Sequence, residues 1–265
     1  MLKIIVCVKA VPDPKEADRL RIDPITKSIP RQDIPLVLNS LDCHALESAF
    51  QLRRKYGAQI TVLSMGPPAA ANVLRECLAL GADEGLLLTD PAFAGADTYA
   101  TAFTLASAIK KLGFVNLVLC GMASSDGSTE WVGPQVAAFL DLPVVTRVSE
   151  ILVDQGDDWT IKSDHEHGYR IVKLKLPAVL TVTREINQPK ALSFSGILKA
   201  RSKQIIEWNL AALDISAGSV GLKGSPTCVS ELSFLESHRS VVILEGTLQE
   251  KVDRLVKILS NAGAA

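Results

Sequence analysis

Residues 117–140 read LVLCGMASSDGSTEWVGPQVAAFL: an apolar run, a loop of small and hydroxylated residues, and a second apolar run with helical spacing. The first run is typical of a buried strand, and the second is typical of a helix. The segment DGST at residues 126–129 would lie where that helix starts. Because the first amide groups of a helix lack partners within it, the strand–helix loop (residues 121–132) favours either simple capping of the helix or binding of a pyrophosphate.

Apolar runs alternate with helical patterns before and around this stretch. The strand candidates are residues 3–8, 59–65, 85–88 and 117–120. Each run is almost continuously apolar, as expected for strands that are covered on both faces. The alternation predicts the α/β fold class, with a parallel, helix-covered, Rossmann-like sheet. Ligands of such sheets bind outside the carboxyl ends of the strands, which is where the strand–helix loop would lie.

The pattern changes after residue 150. Four further strand candidates follow each other with turn-forming residues between them: residues 151–153, 159–162, 169–175 and 178–183. Neighbours of this kind usually pair antiparallel, so we expect an antiparallel ribbon added to the main sheet. Residues 187–202 contain few periodic apolar positions and are expected to form an ordered surface loop.

The sequence predicts an α/β domain over residues 1–217 and an extension over residues 218–265. Residues 218–226 are rich in glycine and serine, and we expect them to be a linker. A final helix follows, with Thr247 and Glu250 in the pattern of a capping box. Its apolar face consists of Leu248, Val252, Leu255 and Leu259. Behind an open linker, this helix is expected to leave the domain and grip a partner protein.

Composition and charge narrow the range of functions. A formal net charge of −1 gives no electrostatic reason to expect nucleic acid or an anionic membrane as a partner. Lys9 interrupts the apolar run at the N-terminus, which is too short for a signal peptide or a membrane span. We therefore expect no membrane insertion and a cytoplasmic location. The 5 cysteines have no C-x-x-C spacing, which argues against an iron–sulfur cluster or a structural zinc site.

The motifs of common catalytic sites are missing from the sequence. It contains no P-loop pattern, and no G-x-G-x-x-G follows the first strand candidate. His165 and His167 flank Glu166, but this segment favours an exposed hairpin turn over a metal pair. We assign no catalytic residue and no metal ligand, so a bound cofactor would have to supply any chemistry.

Eight segments in the same order resemble the beta subunit of electron transfer flavoproteins (ETF) along nearly the whole chain. They are KIIVCVKAVPDP, RIDPITKSI, VLNSLDCHALESAFQLRRK, VLSMGPPAA, LRECLALGADEGLLL, the strand–helix loop with its flanks, LPAVLTVTREINQPK and GILKARSK. The resemblance implies a domain that binds an adenine nucleotide, either AMP or the ADP part of FAD. It also implies a heterodimer with an ETF alpha subunit.

The resemblance implies that the nucleotide contacts residues that follow the first, second and fourth strand candidates. They are Cys7 (beside the adenine), Asn39, Ser40, Leu41, Asp42, Met65, and, around the phosphates, Gly121, Met122, Ala123, Ser124, Ser125, Asp126, Gly127, Ser128, Thr129 and Val132. The family usually has G-[KR]-Q-x-x-D-G-D-T-x-Q-V-G here, whereas Met122 replaces the cation, Ser128 the second acid and Trp131 the glutamine. In addition, Ser40 and Leu41 replace Pro followed by Phe or Tyr.

The segment GADTYATAFTLASAIKK (residues 95–111) resembles the subfamily that carries a second flavin and bifurcates electrons. Asp97, Thr98 and Thr101 are therefore candidate contacts of that flavin, and the alternative is an ordinary capped helix start. This resemblance favours FAD over AMP as the cofactor, with NAD(H) as a transient substrate. The alternative function is a non-bifurcating ETF beta subunit that holds AMP as a structural nucleotide.

In the bifurcating subfamily, a hydride passes from NADH to the flavin of the beta subunit. One electron then goes through the alpha subunit to a flavoprotein dehydrogenase, and the other goes to ferredoxin or flavodoxin. The resemblance leaves the dehydrogenase open between a lactate type and an acyl-CoA or enoyl-CoA type. Residues 187–200 correspond to the family's recognition loop for dehydrogenases, with Phe194 as an apolar anchor beside Gly196, Ile197 and Leu198.

Overall fold

The computed structural model describes residues 1–19, 34–153, 158–230 and 241–262. The chain divides into two compact units, Met1–Ser230 and Glu231–Ala265. The strands of the described ranges are β1 (Leu2–Cys7), β2 (Ala10–Pro12), β3 (Leu36–Leu38), β4 (Ala58–Met65), β5 (Glu84–Leu88), β6 (Leu117–Gly121), β7 (Val144–Val153), β8 (Asp158–His165), β9 (Gly168–Lys175), β10 (Ala178–Val182) and β11 (Ile205–Trp208). The α-helices of the same ranges are α1 (Ser40–Tyr56), α2 (Ala71–Leu80), α3 (Thr98–Leu112), α4 (Val132–Leu140), α5 (Phe194–Ala200), α6 (Leu210–Leu213) and α7 (Leu248–Asn261).

One sheet organises the first unit. Within the described residues it has 9 strands in the order β11-β5-β4-β1-β6-β10-β7-β8-β9. The seven strands from β11 to β7 run parallel, and β7, β8 and β9 pair antiparallel at one edge. The predicted α/β fold class, with its parallel sheet and added antiparallel ribbon, is confirmed.

The sheet is covered by apolar packing on both faces. Side chains of β1 alternate between the two faces, because successive residues of a strand point in opposite directions. Ile4 and Val6 belong to the cluster that includes residues of α1 and α2, and Ile5 and Cys7 belong to the cluster that includes residues of α3 and α4. This double coverage is the reason why the central strands are almost continuously apolar in sequence.

The pairing expected for residues 178–183 is wrong. This segment contains β10, which does not extend the antiparallel ribbon but runs parallel between β6 and β7. All five residues of β10 are buried. A strand without a polar face is suited to the interior of a covered parallel sheet, whereas β8 and β9 both carry exposed side chains.

The surface loop expected at residues 187–202 contains a helix. In α5, the side chain of Ser193 accepts a hydrogen bond from the Gly196 amide (3.1 Å) and caps the helix start. The helix has 7 residues, of which only Ala200 is buried. Such a short helix with one buried side chain produces no apolar periodicity in the sequence.

Residues 218–230 belong to the first unit and not to a linker. Val220 is buried in the cluster that contains α3, and the Leu222 amide donates to the Ala94 carbonyl (3.0 Å). We call residues 216–227 the strap. It lies against the segment that leads into α3, so the first unit extends to Ser230, beyond the boundary expected at residue 217.

The second unit contains α7 in its described part. Glu250 Oε2 accepts a hydrogen bond from the Thr247 amide (2.8 Å), and Thr247 Oγ1 accepts one from the Glu250 amide (3.4 Å), so the capping box is confirmed. The apolar side chains on the predicted face are exposed. No helix of the described ranges combines the length and the apolar character that crossing a membrane requires.

Candidate functional site

The carboxyl ends of β1 and β6 lie side by side in the middle of the sheet. After β1 the chain passes through α1 to β4 on one side, whereas β6 lies on the other side and is reached from β5 through α3. The connections therefore diverge between β1 and β6. Such a switch point leaves a crevice beyond the strand ends, which is where open α/β sheets bind their ligands.

Asp42 joins the three elements that meet at this switch point. It lies in the first turn of α1 and is buried. Its Oδ2 accepts a hydrogen bond from the Lys9 amide (2.8 Å), and its Oδ1 accepts one from the Gly121 amide (2.9 Å). One carboxylate thus fixes the start of α1 against the ends of β1 and β6.

Burial changes the ionisation of the groups around Asp42. Desolvation raises the pKa of Asp42 to about 6, although hydrogen bonds from Lys9, Gly121 and Asn39 and the charge of Lys9 act to lower it. Desolvation, with a smaller contribution from the Asp42 charge, raises the pKa of Cys7 to about 12. The Cys7 thiol is therefore protonated at neutral pH, which suits an apolar contact and not a nucleophile.

Gly121 allows this close approach. A Cβ on Gly121 would lie 2.6 Å from Asp42 Oδ1 and 2.6 Å from Leu41 Cβ, and 2.8 Å from the Leu41 carbonyl carbon. No larger residue fits there without displacing the start of α1, so the glycine follows from packing and not from a turn.

Asn39 fixes the shape of the strand–helix loop through two hydrogen bonds. Asn39 Nδ2 donates to the Ala123 carbonyl (2.9 Å), and Asn39 Oδ1 accepts from the Ser125 amide (3.2 Å). The Ser128 amide donates to the Ser124 carbonyl (2.8 Å), which closes a turn within the loop. Residues 125–129 are exposed, so their backbone faces solvent outside the strand ends.

Lys9 connects the end of β1 to the same loop. Its Nζ lies 2.6 Å from Asp126 Oδ1 and 3.2 Å from Ser124 Oγ. The sequence drew attention to the residues after β1 but did not single out Lys9 as a site residue. The signal that could have found it is a lysine directly after the first strand of a parallel sheet.

The structure brings together most of the site residues that the sequence predicted. Cys7, Met65 and Val132 belong to, or pack against, one apolar cluster on the α3 and α4 face of the sheet. Ser40, Leu41 and Met122 line an open cavity of about 920 Å³, which His165 of β8 and Arg184 also line. Gly127, Ser128 and Thr129 lie in the exposed part of the strand–helix loop.

Asp97 has other contacts. It caps α3 by accepting from the Ala100 amide (3.0 Å), and its Oδ2 accepts from the amide (3.0 Å) and the hydroxyl (2.7 Å) of Thr227 in the strap. Desolvation raises the pKa of Asp97, but these hydrogen bonds outweigh it and keep that pKa below its ordinary value. Thr98 and Thr101 are half-buried on the first turn of α3, which packs against α4 through Tyr99 and Phe139 (ring centroids 5.0 Å apart).

The histidine-rich segment forms the expected hairpin turn between β8 and β9, where His165 pairs with Gly168. Among the described residues, no three His, Cys, Asp or Glu side chains are grouped as a metal site.

Residues 26–213 match the electron transfer flavoprotein domain family. The electron transfer flavoprotein subunit beta of Thermoanaerobacterium thermosaccharolyticum is 43% identical over 261 residues, or 98% of each chain. The subunit of the same description from Clostridium acetobutylicum is 42% identical over 97% of this chain and 98% of its own. The caffeyl-CoA reductase-Etf complex subunit CarD of Acetobacterium woodii is 43% identical over 86% of each chain.

The chain belongs to the electron transfer flavoprotein family. Its full-length similarity to two ETF beta subunits confirms the resemblance noted in the sequence, and its role is that of a beta subunit in electron transfer. One of the eight resembling segments, RIDPITKSI (residues 21–29), lies outside the described residues. The strand–helix loop, in contrast, is fully described, so the contacts of its unusual ETF residues can be read directly.

Trp131 is one of the residues that depart from the usual ETF loop sequence. Its side chain is 62% exposed at the start of α4. Ser128 has a left-handed backbone (φ 48°), and its hydroxyl donates to the Ser124 carbonyl (3.2 Å). Ser128 therefore stabilises the turn of the loop itself, and Met122 lines the adjoining cavity without contributing charge.

Proposed function

We propose that this ETF beta subunit binds FAD at the switch point between β1 and β6 and takes part in electron bifurcation with an ETF alpha subunit. The proposal includes NADH or NAD⁺ as the nicotinamide reactant, ferredoxin or flavodoxin as the low-potential acceptor, and a flavoprotein dehydrogenase as the other partner. The observation that carries it is the strand–helix loop, whose exposed residues 125–129 follow the end of β6 beside the end of β1.

The residues present fit an adenine dinucleotide. Gly121 lets the start of α1 lie close to the end of β6, and Asn39 fixes the loop through the Ala123 carbonyl and the Ser125 amide. Cys7 offers a neutral thiol and Met65 a thioether, both suited to an adenine ring. The Ser125 and Ser128 amides already donate hydrogen bonds, so Gly127 and Thr129 in the exposed part of the loop are the residues suited to phosphate oxygens.

The part of the site that favours FAD over AMP is the start of α3. Thr98 and Thr101 offer hydroxyls on the helix that packs against α4, which itself begins at the end of the strand–helix loop. FAD, when bound, would supply hydride exchange with a nicotinamide and stepwise release of electrons. The chain's own residues would hold the cofactor and exclude water, and none of them need act as a nucleophile or a general base.

The names of two relatives support a dehydrogenase partner that acts on CoA esters. One is the caffeyl-CoA reductase-Etf complex subunit CarD at 43% identity. The other is the acryloyl-CoA reductase electron transfer subunit gamma of Anaerotignum propionicum, 36% identical over 96% of this chain. We therefore favour the acyl-CoA or enoyl-CoA type over the lactate type.

One observation favours the alternative, a beta subunit that holds AMP as a structural nucleotide. The Asp97 carboxylate is already engaged by Ala100 and Thr227, so capping and strap attachment account for this residue without a flavin. Thr98 and Thr101 remain as candidate flavin contacts under the proposed function.

Cofactor content separates the two functions. The complex is purified with its alpha subunit, denatured, and the released nucleotides are separated and quantified. We expect two FAD molecules per heterodimer and bleaching of both flavins by NADH. One FAD together with one AMP would instead establish the structural-nucleotide function and exclude bifurcation.

A further inference from the structure

We propose that Lys9 is the cation that meets the phosphate of the bound nucleotide, and that Asp126 competes with this phosphate for the Lys9 ammonium. This inference rests on the proposed function, namely an adenine nucleotide at the strand–helix loop. It assigns to the Lys9–Asp126 ion pair a role in positioning the phosphate and in setting the nucleotide affinity. The two residues are 117 positions apart in the sequence.

The backbone of Lys9 is fixed on both sides. Its amide donates to Asp42 Oδ2 (2.8 Å), and its carbonyl accepts from the Asn39 amide (3.0 Å). The side chain therefore starts from a rigid point at the switch point and spans the crevice to the loop. A lysine held in this way loses little further backbone entropy when its ammonium binds an anion.

The ammonium is accessible, whereas its acidic partner is largely covered. The Lys9 side chain is 42% exposed and the Asp126 side chain is 14% exposed. An anion that approaches the loop from solvent therefore reaches the Lys9 ammonium more readily than the Asp126 carboxylate. Since an ammonium carries three donors, contacts to Ser124 and Asp126 account for two of them.

Among the described residues, Arg147 also reaches the loop region, but its Nε lies 3.2 Å from Glu130 Oε2 in an ion pair and does not offer the same contact. Met122 within the loop is uncharged. Asp126 by itself would repel a phosphate, and the Lys9 contact at 2.6 Å offsets that repulsion. Lys9 thus makes the loop tolerant of a phosphate, and Asp126 limits how strongly the phosphate is held.

A different role for the same contacts is purely structural. In that case the Lys9–Asp126 pair would only clamp the loop against β1, and its loss would loosen every contact of the nucleotide. The two roles differ in their effect on ligands with and without phosphate. They also differ in whether removal of the Asp126 carboxylate strengthens or weakens AMP binding.

The test uses the heterodimer with its alpha subunit, depleted of beta-subunit nucleotide, and titrates it calorimetrically with AMP and with adenosine. We expect Lys9→Met to weaken AMP binding by about tenfold or more, the size of a lost hydrogen bond to a charged group. Adenosine binding should change by less than about twofold, since adenosine carries no phosphate. Lys9→Arg should retain most of the AMP affinity, and Lys110→Met, an exposed lysine in the last turn of α3, is the matched control.

Asp126→Asn distinguishes the two roles by the direction in which the AMP affinity changes. Removing the competing carboxylate should strengthen AMP binding and leave adenosine binding unchanged, whereas a clamp predicts weaker binding of both ligands. Equal weakening of AMP and adenosine in Lys9→Met, or weaker AMP binding in Asp126→Asn, overturns the inference and leaves the proposed function intact. A wild-type complex that binds neither AMP nor FAD in this subunit overturns the proposed function as well.

Discussion

Asp42 is a residue at which stability and site geometry depend on the same atoms. Its carboxylate is buried because α1 starts directly over the ends of β1 and β6, and it accepts hydrogen bonds from Lys9 and Gly121. Since its two carboxylate oxygens orient both strand ends, the candidate site is built on a group whose charge is unfavourable to bury.

The raised pKa of Asp42 predicts a specific pH dependence of stability. The pKa is about 6 in the folded chain against an ordinary value of 3.8, so the folded state binds this proton more tightly. The resulting stabilisation is complete below about pH 4 and is lost as the pH rises through about 6. Its size is at most about 3 kcal/mol, because one pKa unit corresponds to about 1.4 kcal/mol.

Asp42→Asn tests this prediction. The free energy of unfolding of both proteins is measured by chemical denaturation between pH 4 and pH 7. The advantage of the wild type over Asp42→Asn should decrease over this range, because the amide does not titrate. A constant difference across the range would show that the folded chain does not shift this pKa.

Among the secondary-structure elements, sequence patterns identified the strands and helices whose apolar residues follow a regular spacing. The central strands were found because both faces are covered, and α7 was found because Thr247, Glu250 and the apolar spacing lie within one helix. The position of β10 was predicted wrongly. It pairs in parallel with β6, which lies much earlier in the chain, and no local sequence pattern indicates such a pairing. The short edge strand β11 pairs with β5 over a still longer sequence separation and carries two exposed residues among four.

The helix α5 presents an apolar surface that the sequence had assigned to a loop. Phe194 is 78% exposed, and Ile197 and Leu198 are also exposed. Gly196 lies against the end of α2, where a Cβ would be 2.2 Å from the Ala79 carbonyl oxygen. This contact orients α5 so that Phe194 remains available to a partner, which is consistent with the proposed recognition of a dehydrogenase.

We therefore expect Phe194→Ala to weaken binding of the partner dehydrogenase by about tenfold, as for an aromatic hot spot, because the exposed ring loses its contact area. Binding is measured by surface plasmon resonance with the purified heterodimer. Phe114→Ala is the matched control, since Phe114 is 66% exposed and lies between α3 and β6, outside α5. Loss of bound nucleotide in Phe194→Ala would indicate a role in folding and not in docking.

For the molecule as a whole, the location of the candidate site followed from topology, but its internal contacts did not. A parallel sheet and a loop rich in small residues were enough to predict a ligand at the strand ends. The roles of Lys9 and Asp42 depend on pairs that are 117 and 79 residues apart, respectively. Asp97 also binds the strap, and this contact was not predicted because residues 218–226 had been expected to be a linker.

In the second unit, the apolar face of α7 suits contact with another protein. Leu255 lies on the apolar face of α7 and is 47% exposed, although the helix has a complete capping box and 14 residues. An amphipathic helix of this length is only marginally stable without a surface to cover its apolar face. Under the proposed function, that surface belongs to the ETF alpha subunit.

Leu255→Ser should therefore weaken association with the alpha subunit by about thirtyfold, because a buried leucine contributes on the order of 2 kcal/mol at such a surface. Arg254→Ser, which changes the adjacent polar position of the same helix, should leave association unchanged. Dissociation constants of the two variants and the wild type are compared by analytical ultracentrifugation. Equal affinities for wild type and Leu255→Ser would mean that the apolar face of α7 does not contact the alpha subunit, and that another part of the chain holds the heterodimer together.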